Sequence, residues 1–262
     1  MKQAIRSMVL IAKSILLEAV RRKEVYVVVL IACLLIGAVM TVDFFQIRGI
    51  TKFYREVALK VMSLSTGLMV VILSARQLPR EFKNRTIYPL LAKPIGRNTF
   101  LVGKLLGALT AAAFCFAIFM GVYLLGSFYL GGDIPWTLFF QYVYLQMLMM
   151  AVLSTLSFLL SMSMTLSAAI TIVVLLFLLS ATITSATTFV YYSLDSAGQW
   201  VIALLTYVIP QFTLFDLSEK AVHAQQWDPI SWKVMLALTL YAGLYCGLFF
   251  LGSSLLFKRK PL

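Results

Sequence analysis

Apolar runs long enough to cross a bilayer recur along this chain and leave it few ways to fold. A spanning helix needs roughly 20 apolar residues, and within the hydrocarbon every backbone amide must find its partner inside the protein. The residues are 61% apolar and 12% charged, whereas soluble domains lie near half and a quarter. The chain therefore reads as an all-α polytopic membrane protein, one transmembrane domain over residues 1–262. Six spans are expected, at residues 25–42, 57–74, 99–130, 136–160, 168–190 and 232–257.

The first 25 residues keep charges throughout and show no small-residue cleavage site, so no cleaved signal peptide is expected. Residues 3–24 read as an amphipathic helix lying in the membrane interface. Ile5, Met8, Val9, Ala12, Ile15, Leu16, Ala19 and Val20 share one face, opposite Gln3, Arg6, Ser7, Ser14, Glu18 and Arg21, while Leu10, Ile11 and Leu17 break the pattern.

A further apolar run, residues 198–215, is divided by Pro210. The stretch before the proline spans roughly 17 Å as a helix, about half a bilayer. With six spans, the N-terminus, residues 76–104 and the C-terminal "KRK" share one side and hold 16 of the 22 Lys and Arg residues. A seventh span would move the tail across. Residues 198–215 are therefore read as an external hairpin, re-entrant or lying on the surface. Both termini are expected in the cytoplasm, where positive loops accumulate. The net charge of +12 belongs to this asymmetry rather than to a nucleic-acid surface.

The sequence also excludes chemistries. There is no GxxxxGK[ST] phosphate loop, HExxH or GxSxG, so neither ATP hydrolysis nor another enzymatic activity is expected of this chain. Cys33, Cys115 and Cys246 lie in apolar runs without CxxC spacing, and the single histidine, His223, falls in a loop, so no metal or cofactor is expected. All ten carboxylates fall at span ends or in loops, where an ion-coupled carrier places some within the membrane. The remaining intramembrane polarity is mild. Gln141, Gln146, Thr182, Thr184 and Thr188 serve either interhelical hydrogen bonds or a translocation surface. Gly103, Gly107 and Ala111 recur every four residues, the spacing of close helix packing, and Lys104 is expected to snorkel to the cytoplasmic surface.

Between the second and third spans lies "LPREFKNRTIYPLLAKPIGRNTFLVGKLLG". Pro79 suits the first turn of a short helix, Leu78, Phe82, Ile87, Leu90 and Leu91 form an apolar stripe, and Pro89 should bend or end the helix. Asn98 or Thr99 can cap the next span. This segment resembles the signature loop of type-two ABC exporter permeases, the six-span membrane subunits of ATP-binding-cassette transporters. The likeness rests on Glu81, Arg85-Thr86-Ile87, Leu90-Leu91, Pro94-Ile95-Gly96-Arg97 and Gly103-Lys104, with Arg85 where the family commonly has glycine. "ILLEAVRRKEV", with Glu18, Arg21 and Arg22, resembles the family's connecting helix, and "YVIPQFTLFDLSEKAV" its external re-entrant region.

The resemblance implies an architecture and a mechanism. The parts would be an interfacial helix at 3–24, spans one and two within 25–76, and a coupling loop at 77–98. Spans three to five would fill 99–190, an external hairpin region 191–231, the last span 232–257 and a cytoplasmic tail 258–262. The permease would pair as a homodimer or with a close relative in a bacterial or archaeal inner membrane. Each copy would dock the helix at 79–91 into a separate ATPase subunit carrying ATP and Mg. Glu81, Phe82, Arg85, Thr86, Ile87, Leu90 and Leu91 would make that contact, Glu81 by an ion pair with a basic residue of the ATPase. The alternative is a membrane anchor for a cytoplasmic partner, without transport.

Overall fold

The structure is a computed structural model that describes residues 2–21, 23–41, 50–83, 96–130, 134–195, 198–200, 209–218, 220 and 229–259. The described elements are helical: α1 (Lys2–Val20), α2 (Lys23–Thr41), α3 (Ile50–Lys83), α4 (Arg97–Tyr129), α5 (Trp136–Ser163), α6 (Leu166–Ser193), a short 3-10 turn (Phe212–Phe215) and α7 (Trp232–Arg259). Five of them, α3 to α7, are long and apolar enough to cross a membrane. The region expected as the first span is helical in α2, but its apolar stretch, Tyr26–Ala38, is shorter than those five and is not counted with them.

Helix α3 departs furthest from expectation. It runs unbroken over 34 residues, about 51 Å at 1.5 Å per residue, against a hydrocarbon core of roughly 30 Å. Pro79 lies inside this helix rather than opening a new one. The proline removes the N–H that would reach the Ala75 carbonyl. Packing keeps the helix whole, because Ala75 and Leu78 on either side of that gap are completely buried.

Helices α3 and α5 form the centre of the bundle, with 67% and 61% of their apolar windows buried against 17% for both α6 and α7. The Tyr142 hydroxyl ties the central pair together, donating to the Leu59 carbonyl at 3.1 Å. On α7, Leu236, Leu240, Leu244 and Leu248 recur every four residues and are all exposed, as a lipid-facing stripe requires.

Contacts define two ends. At one, Leu78 of α3, Phe100 and Leu101 of α4, Phe158 and Met162 of α5 and Phe257 of α7 form a single cluster. At the other, Phe128 of α4 meets Trp136 of α5, and both ends of the Gln141 amide bond the backbone of Ile230, at 2.9 and 3.0 Å. Helix α6 starts just after the first end and runs to the second, where α7 begins. The intervening chain therefore returns to the end it left.

Part of that chain is buried against the middle of α6. Ser180, 14 residues into this helix, accepts the backbone N–H groups of Phe212 and Thr213 at 2.9 and 3.3 Å. The Tyr241 hydroxyl of α7 accepts the N–H of Gln211 at 3.0 Å. Phe212 and Phe215 are buried, with Phe212 edge-on to Phe177. Irregular backbone buried in this way needs such side-chain partners. Ser180→Val should strand two buried donors and cost about 2–3 kcal/mol. A thermal unfolding midpoint in detergent that stays at the wild-type value would refute the tie.

Candidate functional site

The end gathered by Leu78, Phe100 and Phe257 carries the base of the basic segment between α3 and α4. Residues 84–95 lie outside the described residues; their two stems, α3 up to Lys83 and α4 from Arg97, do not. The stems are clamped together. Lys104 Nζ meets Glu81 Oε1 at 2.6 Å and sits 5.7 Å from the centre of the Phe100 ring. Lys104 is 6% exposed. Phe100 stacks on Phe257 at 6.2 Å, and the Ser254 hydroxyl donates to Asn98 Oδ1 at 3.0 Å. The last turn of α7 adds Lys258 and Arg259 to the same end.

This geometry changes three expectations. Lys104 does not snorkel to the surface; its ammonium is taken up by Glu81. Glu81, expected to meet a basic residue of a partner, is engaged within the chain. Helix α4 is capped by Gly96 without a side-chain hydrogen bond, and Asn98 instead reaches α7. The first two share a physical reason: Lys104 is buried, and a buried ammonium needs a carboxylate beside it.

Helix α1 joins this end. Ile11 lies against Gly103, and Ile15 with Ala12 against Gly107, so the two helices advance together in the same direction. Their contact is the most extensive between any two described helices. The expected interfacial helix is amphipathic, but part of its apolar face meets protein rather than lipid. Ile15 and Ala19 are buried, while Val9, Leu10 and Leu17 are exposed. Gly103 and Gly107 have no side chains to hold α1 away. Of the expected residues here, Glu18 and Arg21 lie at the exposed end of α1 and Arg22 lies outside the described residues.

The other expected positions scatter. Arg85, Thr86, Ile87, Leu90 and Leu91 lie outside the described residues, as does the side chain of Phe82. Gln141 is spent on Ile230. Gln146 is fully buried, donating to the Ser63 carbonyl at 3.5 Å. Thr184 bonds the Ser180 carbonyl and the Thr213 hydroxyl, at 2.8 and 3.2 Å. Thr182 is exposed, and the side chain of Thr188 is not described. They do not line one surface. The polar groups that do converge, Lys60, Ser63, Ser180, Thr213 and Asp216, edge a cavity of about 230 Å³ beside the 3-10 turn.

Among the described residues no cluster of His, Cys, Asp or Glu could hold a metal. The sequence profile described as ABC-2 family transporter protein matches residues 1–262, the whole chain. The chain belongs to the ABC-2 transporter family. Comparison with curated proteins finds no match. Membership makes this ABC-2 protein a multi-pass membrane component of an ABC transporter, a permease subunit that works with an ABC ATPase. The clamped stems of residues 84–95 are then the structural feature nearest to where an ATPase contact was expected.

Proposed function

We propose that this ABC-2 permease is the membrane subunit of an ATP-driven exporter, with residues 84–95 docking into the partner ATPase, which binds the ATP and Mg. Glu81 and Lys104 act as the strut that passes motion from that segment into α3 and α4. Helix α2 counts as the first of six spans, and residues 198–215 as a re-entrant hairpin on the outer side. The clamp end faces the cytoplasm of a bacterial or archaeal cell. Two permease copies, identical or related, enclose the route of the substrate.

One observation carries the reading. The stems of the basic segment converge on a buried ion pair, 2.6 Å long, at the end that also holds the basic last turn of α7. A lipid-tethering loop needs charge but no rigid base; a loop that transmits force needs both. Burial of the 3-10 turn against the middle of α6 supports the re-entrant hairpin.

The test is co-purification with the ABC ATPase encoded beside the gene. Wild type should retain the ATPase, and an Ile87→Asp, Leu90→Asp double variant should bind it about 30-fold more weakly, the loss expected for two apolar anchors. Absence of ATPase on wild type under every nucleotide condition, or unaltered binding by the variant, would defeat the reading in favour of an anchor.

A further inference from the structure

At the end of the bundle away from the clamp, a guanidinium is buried with no opposite charge beside it among the described residues. Arg55 is 7% exposed, and its Nε and Nη2 are closed off from solvent without a hydrogen-bond partner among those residues. The neighbouring carboxylate, Glu56, bonds Lys60 at 3.3 Å. A fold retains an unpaired buried charge only where something supplies the opposite sign.

The vacant donors have a direction. Nε–H and the N–H of Nη2 beside it run parallel along one edge of the planar guanidinium, the arrangement that grips two oxygens of one anion. Ser127 is completely buried on α4, with its hydroxyl within reach of the Tyr123 phenol. It lies one turn beyond Tyr123, whose phenol is within electrostatic reach of Arg55. The helices close tightly here: the Tyr54 hydroxyl donates to the carbonyls of Val122 and Tyr123, both at 3.3 Å. A side chain at Gly126 would overlap the Tyr54 phenol.

Depth narrows the ligand. Arg55 stands three residues inside Lys52, where the apolar stretch of α3 begins, about 4.5 Å along the helix. Exposed Tyr129 and Trp136 mark the same end, as aromatic residues mark the bilayer interface. The abundant anion at that level is a phosphodiester.

We propose that Arg55 binds the phosphate of an amphiphile at this end of the bundle. The amphiphile is either a resident phospholipid or a phosphate-bearing cargo. The site stands apart from the exporter reading, since phosphate binding needs no ATPase.

The full chain is reconstituted in nanodiscs of digalactosyl diacylglycerol, which has no phosphate, and titrated with phosphatidylglycerol. Native mass spectrometry and thermal unfolding report binding. Wild type should retain one phosphatidylglycerol per chain and unfold at a higher temperature with it. Arg55→Gln should weaken retention about tenfold or more, the effect of losing a charge-assisted bond. Arg55→Lys, which keeps the charge but loses the paired edge, should fall between. Lys52→Gln, an exposed cation one turn away, should match wild type. Adding the ATPase and ATP separates the sources: a lipid that stays is resident, one that leaves is cargo. Equal retention of phosphatidylglycerol and galactolipid by wild type overturns the proposal, as does undiminished binding by Arg55→Gln. If Arg55→Gln does not fold, the wild-type titration and Arg55→Lys still decide.

Discussion

Glu81→Ala should lower the stability of the bundle by about 3 kcal/mol, because it leaves a buried ammonium without its carboxylate. Among the described residues Lys104 would keep only the face of the Phe100 ring, 5.7 Å away, and a cation–π contact offsets about 1 kcal/mol of that loss. The midpoint of thermal unfolding in detergent should drop by roughly 5–10 °C for a chain of this size. Removing both charges is the informative control. Glu81→Leu with Lys104→Met replaces the pair by apolar groups of similar length and should return within about 1 kcal/mol of wild type. A single variant that unfolds at the wild-type temperature would show that water reaches Lys104 and that the pair bears no strain. If the double variant recovers stability but the ATPase no longer responds to substrate, the charges themselves serve coupling.

Gly107→Leu should detach α1 from α4. A Cβ at this position already meets the Ile15 side chain and the backbone at Ala12. The side chain of Ile15 is 1% exposed and has nowhere to turn. Overpacking a close helix contact typically costs about 1–3 kcal/mol, with the upper end expected when backbone must move. The readout is accessibility: a cysteine placed at Ala12 should be slow to label in the wild-type background and fast in the Gly107→Leu background. Pairing the substitution with Ile15→Ala should restore much of the protection, since the two changes share one contact. Slow labelling in Gly107→Leu would mean that α1 has room to shift without leaving.

The membrane class, the helical character and the approximate positions of the long spans were legible because they depend on local composition. A run such as residues 136–160 has no soluble alternative, and α5 occupies Trp136–Ser163. The glycine spacing at 103 and 107 also signalled close packing before any partner helix was known, and α1 turned out to be that partner. Helix continuity through Pro79 was not legible. A proline in sequence weakens a helix locally, and only the burial of Ala75 and Leu78 against distant residues outweighs the lost hydrogen bond.

The candidate site divides the same way. That Glu81 and Lys104 are charged and near span ends is written in the chain; that they are each other's partner depends on two helices crossing 23 residues apart in sequence. Ser180 reads as one hydroxyl among many in an apolar run. It becomes a backbone clamp because the chain around Phe212 folds back onto it. In the sequence Arg55 is one of several cations ahead of an apolar run, yet in the fold it is buried with two donors unspent among the described residues. Which segments leave water is a sum over neighbouring residues and can be taken along the chain. Which polar group meets which is set by long-range packing, where a shift of one helical turn exchanges every partner.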